Sequence, residues 1–206
     1  LDRILRTMLD LVSSPKPAGR SVEGQAWIRS LAIHILGNLG TTGPDNVVPK
    51  TLARVMADDE NSLLATRCHA VEAMGKLRYQ GGAGVDPLPL FREIGKLAHR
   101  VCRDEIELTE EHNSVFRRML VNTRLTEIQR GLEGLKNLAG EAEEQQIVQT
   151  IEENLDKWLE VLDNRRLEDY EVPAELDEEL EGFLDKLQPE SPQAAAGPSQ
   201  PETRTG

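Results

Sequence analysis

Apolar residues recur every three to four positions through most of the first 103 residues, which predicts a series of amphipathic helices. The first helix is predicted at 2–12, with an apolar stripe of Ile4, Leu5, Met8, Leu9 and Val12. Further helices are predicted at 22–39, 47–57, 63–78 and 87–103. Stretches rich in Pro and Gly separate these helices and indicate turns.

Two of the helices carry the same pattern, "IRSLAIHILGNLG" (28–40) and "TRCHAVEAMGKLR" (66–78). When they are aligned, Gly37 matches Gly75, 38 residues later. The same step relates Arg29 to Arg67. It also relates the prolines near the starts of the third and fifth helices. A fixed step near 40 residues, with a helix–turn–helix in each unit, is typical of an α-solenoid.

Small residues return at the same places in both units, among them Gly37 and Gly75. A glycine inside a helix costs about 1 kcal/mol relative to alanine. We therefore expect these glycines to let neighbouring helices approach closely.

At these residues the chain resembles the HEAT-like repeat family in its short prokaryotic form, in which an acidic turn is followed by an Arg and then by "xxAxxxLGxLG". The two matching stretches are "AWIRSLAIHILGNLG" (26–40) and "DDENSLLATRCHAVEAMGKL" (58–77). The resemblance covers residues 1–103, with two units and half of a third. It implies stacked helix pairs and says little about chemistry.

In that family the acid of the turn often pairs with the arginine of the second helix. The resemblance therefore implies a pairing of Asp58 or Asp59 with Arg67. It also implies a pairing of Asp10 with Arg29.

Beyond residue 103 the period fails. We expect an exposed acidic connection at 103–114, then a long helix at 115–139 that forms a degenerate capping unit. The repeats with their cap then occupy 1–140.

A long amphipathic helix at 141–165 would pack on them across a short turn, which makes a helical hairpin. An acidic short helix follows within 166–187, and the Pro/Ala/Ser/Gln-rich tail 188–206 is expected to be disordered. The predicted fold is all-α, a short α-solenoid with this hairpin and tail.

The net charge of −12 is unevenly distributed. Residues 1–140 carry 17 acids and 19 bases, whereas residues 141–187 carry 17 acids and four bases. Phosphate would be repelled by the acidic part, so no nucleic-acid partner is predicted.

No catalytic, cofactor-binding or metal-binding set is predicted. Cys68 and Cys102 are read as small buried apolar residues or as one bridge between adjacent helices. His99 and Cys102 lie one helical turn apart, but no second pair accompanies them, as a zinc site would need. The glycine-rich stretches 37–43 and 81–84 do not follow strands and lack the Lys-Ser/Thr of a phosphate-binding loop.

No apolar run is long enough to span a membrane. The sequence begins with Leu1, so both the compartment and the possibility of a longer parent chain stay open, as does the oligomeric state.

Two sets of residues are candidates for partner binding. Arg29, Arg67, Arg100 and Arg103 could lie along one side of the stack, where they either pair with turn acids or bind an acidic peptide or the chain's own tail. Leu180, Phe183 and Leu184 form an apolar stripe on the acidic helix predicted at 175–187. That helix either docks on its own domain or enters a groove of a partner.

The sequence therefore predicts a non-catalytic scaffold that binds a protein or peptide through a helical repeat surface. One alternative is an enzyme or enzyme subunit of the HEAT-like lyase type, since relatives with short HEAT-like repeats act on tetrapyrrole attachment in light-harvesting proteins. Another is a regulatory domain cut from a larger protein.

Overall fold

The computed structural model describes residues 2–79, 84–111, 115–163 and 180–188, and all regular secondary structure in these ranges is helical. The α-helices are α1 (Asp2–Ser13), α2 (Val22–Leu39), α3 (Val47–Ala57), α4 (Leu64–Gly75), α5 (Pro87–Glu111), α6 (Val115–Leu135), α7 (Ala142–Asp163) and α8 (Phe183–Lys186). Short 3-10 turns at Pro44–Asn46 and Lys136–Leu138 precede α3 and follow α6. The prediction of an all-α chain is confirmed for these residues.

The ends of α2 show why the predicted bounds of that helix hold. The Ser21 side chain accepts a hydrogen bond from the Gly24 backbone N–H at 2.9 Å, which satisfies an otherwise unpaired donor of the first turn. Gly40 adopts a left-handed conformation with φ 62° and donates its N–H to the Gly37 carbonyl. Glycine takes up this conformation without steric cost, so the helix ends there.

The expected acidic connection at 103–114 is wrong for most of its length. Helix α5 continues without a break to Glu111. No Pro or Gly occurs between Lys96 and Glu111, and the Glu, Leu and Lys residues of this stretch favour helix. Clustered acids were therefore an unreliable sign of a loop.

Some predictions fall outside the described residues. These are the end of the acidic connection, at 112–114, the first five residues of the acidic helix expected at 175–187, and the tail from 189 onward. Helix α4 is also shorter than predicted and ends at Gly75 rather than at residue 78.

The helices contact one another in a regular order. The odd-numbered helices form one row, in which α1 contacts α3, α3 contacts α5 and α5 contacts α7. Helices α2, α4 and α6 form a second row, which we call the even row, in which α2 contacts α4 and α4 contacts α6; the short helix α8 lies outside both rows and contacts α5. Each pair that is consecutive in sequence, α1 with α2, α3 with α4 and α5 with α6, also packs together. Helix α4 lies at the centre because it contacts α2, α3, α5 and α6.

The apolar core is continuous along these rows. In α4 the buried apolar residues are Cys68, Ala70, Val71, Ala73 and Met74. The largest fully buried side chains elsewhere include Phe91 in α5 and Trp158 in α7. None of the helices within the described ranges is long and apolar enough to cross a bilayer.

The two repeated glycines occupy equivalent places in the even row. A Cβ atom added at Gly37 in α2 would lie 2.9 Å from Ala73 Cα in α4. A Cβ atom added at Gly75 in α4 would lie 2.5 Å from the Gly131 carbonyl oxygen in α6. Each glycine therefore brings its helix against the backbone of the next even helix, which is the close approach that the sequence predicted.

Replacing Gly75 with Leu should lower the free energy of unfolding by about 1–3 kcal/mol or more, because the new side chain has no space against α6. Thermal and urea denaturation followed by circular dichroism would measure the change. Gly140→Ala is the matched control, since a Cβ atom there meets nothing within 4 Å. Equal stability of the Gly75→Leu variant and the wild type would contradict the packing role.

Candidate functional site

The repeated arginines bind the ends of helices. Arg29 Nε donates to the Val12 carbonyl oxygen at 2.9 Å, and Arg67 Nε donates to the Met56 carbonyl oxygen at 2.6 Å. Val12 and Met56 are the penultimate residues of α1 and α3. Carbonyls in the last turn of a helix have no partner within the helix and lie at the negative end of its dipole. Each arginine thus caps the C-terminal end of the first helix of its own pair.

The pairings that the family resemblance implied do not form among the described residues. Arg67 makes no ion pair with Asp58 or Asp59, and Arg29 makes none with Asp10. Backbone carbonyl oxygens take the places that the carboxylates were expected to fill.

Arg29 also joins the first unit to the second. Its Nη1 donates to the Asn61 carbonyl oxygen at 3.1 Å and to Ser62 Oγ at 3.3 Å, both in the turn between α3 and α4. In the same turn the Asp58 carboxylate accepts bonds from the Asn61 backbone N–H at 3.0 Å and from its side chain at 3.1 Å. Burial acts to raise the pKa of Asp58, but hydrogen bonds from Asn61 and Ser62 and the charge of Arg29 outweigh it and lower this pKa.

Three of the four predicted arginines border one groove, which we call the α5 groove. It has a volume of about 690 Å³ and lies between the α3–α4 turn, the start of α4, α5 and α8. Its lining includes Arg67, Lys96, Arg100, Arg103, Asp59, Glu93, Asp104, His99, Leu63 and Leu184. Arg29 instead borders a neighbouring groove of about 540 Å³ between the α1–α2 loop and the α3–α4 turn. The predicted row of four arginines is thus divided between two adjacent grooves.

The charges of the α5 groove are largely paired along one helix. Arg100 Nε lies 2.7 Å from Asp104 Oδ1, and Lys96 Nζ lies 2.6 Å from Glu93 Oε1. The Arg100 side chain is 64% exposed, so its ion pair is solvated. Exposed pairs of this kind contribute about 0–1 kcal/mol, and an incoming carboxylate could compete for the guanidinium.

The apolar stripe predicted on the acidic helix is divided between the interior and the groove. Leu180 and Phe183 are buried, and the Phe183 ring packs edge-on against the Trp158 ring at a centroid distance of 4.9 Å. The Phe183 ring also lies parallel to the His99 ring at 6.3 Å. Leu184 is 38% exposed and borders the α5 groove. Residues 180–188 therefore dock on α5 and α7 through two of the three predicted side chains.

The cysteines do not supply a reactive thiolate site in this structure. Cys68 and Cys102 are both buried thiols. Burial, with a smaller effect from the charge of Glu127, raises the pKa of Cys68 to about 12, so the thiol stays protonated near neutral pH. Burial and the charges of Arg103 and Arg100 lower the pKa of His99. Within the described part of the chain, no cluster of three or more His, Cys, Asp or Glu residues could hold a metal ion.

A histidine contact across the even row was not predicted from the sequence. The His34 and His69 rings lie 4.5 Å apart, and His69 Nε2 lies 3.4 Å from Glu127 Oε1 in α6. Burial, followed by the neighbouring His69, lowers the pKa of His34, while Glu72 opposes this shift. The two histidines are 35 residues apart in sequence, so their contact follows from the stacking of α2 on α4 rather than from any local motif.

In the residues that it describes, the structure therefore presents a helical fold with a mixed-charge groove bordered by the exposed Leu63 and Leu184. Comparison with protein-family models, with curated proteins and with solved structures found no match to this chain.

Replacing Arg67 with Met should lower the free energy of unfolding by about 1–3 kcal/mol, because it removes the donor to Met56 while keeping an aliphatic side chain of similar length. Arg100→Met is the matched control and should change stability by at most about 0.5 kcal/mol, since its ion pair is exposed. Urea denaturation measures both values. Equal effects of the two substitutions on the free energy of unfolding would contradict the role of Arg67 as a C-terminal cap of α3.

The Asp58 carboxylate should stabilise the fold only while it is ionised. Its folded pKa lies below its ordinary value of 3.8, so its contribution is present above that value and is lost as the pH falls through the lowered pKa. Asp58→Asn should therefore make the acid-induced loss of stability less steep. Asp59→Asn is the control, and the free energy of unfolding of each variant is measured as a function of pH. Matching pH profiles of the two variants would contradict this role of Asp58.

Proposed function

We propose that this chain is a non-catalytic, protein-binding scaffold built as a short α-solenoid of HEAT-like helix pairs. The order of helix contacts supports this class, because in a solenoid each pair packs on its neighbours along two rows. The equivalent bonds from Arg29 and Arg67 to the ends of α1 and α3 support a repeat with a 38-residue step.

The α5 groove is the proposed binding surface. The observation that carries this proposal is the convergence of an exposed guanidinium with two exposed leucines from different elements. Arg100 comes from α5, Leu63 from the α3–α4 turn and Leu184 from α8. The leucines are 45% and 38% exposed, respectively. A groove with apolar anchors and a bidentate donor fits a peptide that carries a carboxylate beside an aliphatic side chain.

The energetics of the groove favour exchange with a partner. Burial of the two leucines would contribute about 25 cal/mol for each Å² of apolar surface removed from water. The Arg100–Asp104 pair would lose little if a partner carboxylate replaced Asp104, because that pair is solvated in the free protein. The four bases of the groove against three acids give a slight preference for an acidic partner.

Affinity capture of the intact chain followed by mass spectrometry tests this function. The wild type, Arg100→Glu and Arg130→Glu should be used side by side. Arg130 is an exposed residue of α6 outside the α5 groove, so both variants change the net charge equally.

We expect proteins that bind the wild type and Arg130→Glu but are lost with Arg100→Glu. A synthetic peptide from such a protein should bind with at least about tenfold lower affinity to Arg100→Glu. Recovery of no protein above background, or equal recovery with all three baits, would contradict the proposed surface.

A further inference from the structure

The contact between α2 and α4 has two histidine rings at its middle. The ring centroids of His34 and His69 lie 4.5 Å apart. One turn further along α2, Gly37 packs so closely on α4 that a Cβ atom added there would lie 2.9 Å from Ala73 Cα. Because this approach fixes the spacing of the two helices, it also keeps the two rings close to each other.

Neither ring can take up an added proton in this contact without cost. His69 Nε2 lies 3.4 Å from Glu127 Oε1, which favours the neutral form that carries its proton on Nε2. An added proton would then lie on His69 Nδ1, which is buried and has no hydrogen-bond partner among the described residues. A polar group that is buried without a partner is costly.

His34 has only a shared carboxylate. Its Nδ1 lies 3.9 Å from Glu72 Oε2, which is beyond hydrogen-bond distance. The other oxygen of Glu72 lies 3.0 Å from Lys76 Nζ. A proton on His34 would therefore compete with an ammonium group that is closer to this carboxylate, and it would also lie beside the His69 ring.

The charged groups that act on His34 come from α4 and α6, and they are His69, Glu72, Lys76 and Glu127. Helix α1 also packs on α2, but no charged side chain of its described residues belongs to this set. Cys68, which precedes His69, is also acted on by Arg124 of α6 and Arg67 of α4. The contact therefore contains two carboxylates that favour a proton on His34 and two cationic side chains that oppose it.

The balance of these effects is against the added proton. Burial lowers the pKa of His34, the charge of His69 lowers it further, and the carboxylate of Glu72 opposes this only in part. The folded pKa thus lies below the ordinary value of 6.5. The stability that depends on neutral His34 is fully present above pH 6.5, and it is lost as the pH falls from there through the lowered pKa.

Helix α2 can respond to this cost without disrupting the rest of the stack. It contacts α1 and α4, whereas α4 also packs on α3, α5 and α6. In repeat folds each unit contacts only its neighbours, so a terminal pair can loosen by itself. We propose that proton uptake at the His34–His69 contact loosens α2 from α4 below about pH 6.5, while α3 to α7 stay packed. Water then reaches the two rings and solvates the added charge.

The loosening extends to the α3–α4 turn. Arg29 of α2 donates to the Asn61 carbonyl oxygen and to Ser62 Oγ in this turn, and both bonds are lost when α2 moves away. The same turn supplies Leu63 to the α5 groove. Acid therefore changes one wall of that groove, whether or not the groove binds a partner.

Hydrogen–deuterium exchange of the full chain, followed by mass spectrometry and corrected for intrinsic exchange rates, tests the proposal. Between about pH 7.5 and about pH 5.5 the protection of α2 amides should fall by at least about threefold, since one proton can shift an equilibrium by at most about tenfold per pH unit. The fall should be smaller in α5 and α7. Equal protection of α2 at the two pH values, or an equal fall in all three helices, would overturn the proposal.

Two substitutions should change this acid response in opposite directions. His34→Gln should remove it, because the amide does not titrate. Glu72→Gln should enlarge it, because this carboxylate opposes the lowered pKa of His34. His99→Gln is the matched control, since His99 lies in α5 and burial also lowers its pKa. A response of α2 that survives His34→Gln, shrinks with Glu72→Gln or disappears with His99→Gln would contradict the role of the histidine contact.

Discussion

The contact between α4 and α6 at their glycines is the constraint on which the rest of the structure depends. Gly75 lies against Gly131, and Gly134 in turn lies against the Gly75 backbone. Since no side chain separates the helices there, their distance is set by backbone contact alone. Helix α4 touches four other helices, so its position fixes both rows, and through them the groove beside α5.

Periodicity made the first half of this fold predictable. The bounds of α2 and α3 and the equivalent settings of Gly37 and Gly75 follow from a step of 38 residues and from Gly and Pro at the helix ends. The residue against which Gly75 packs could not be predicted in this way, because Gly131 lies 56 residues later and outside the repeat. The length of α5 was also predicted wrongly. Its acidic residues favour a helix, but a cluster of acids is also common in exposed loops.

The candidate site was predicted in part, and the reason is geometric. A repeat places Arg29 and Arg67 at equivalent positions, yet it does not say which oxygen each guanidinium meets. The groove depends on side chains brought together from the α3–α4 turn, α5 and α8, and nothing local in the sequence joins Leu63 to Leu184. Docking of residues 180–188 likewise depends on the fit of Phe183 against Trp158.

The arginine bonds to Val12 and Met56 have a consequence for the environments in which the first two units keep their shape. A peptide oxygen does not titrate, and a guanidinium stays protonated throughout the physiological range. The arginine hydrogen bonds at the ends of α1 and α3 consequently do not depend on pH in this range, unlike bonds to carboxylates at the same places. In this part of the molecule the stability depends on pH through peripheral groups such as Asp58, while the arginine bonds that hold the helix ends stay the same.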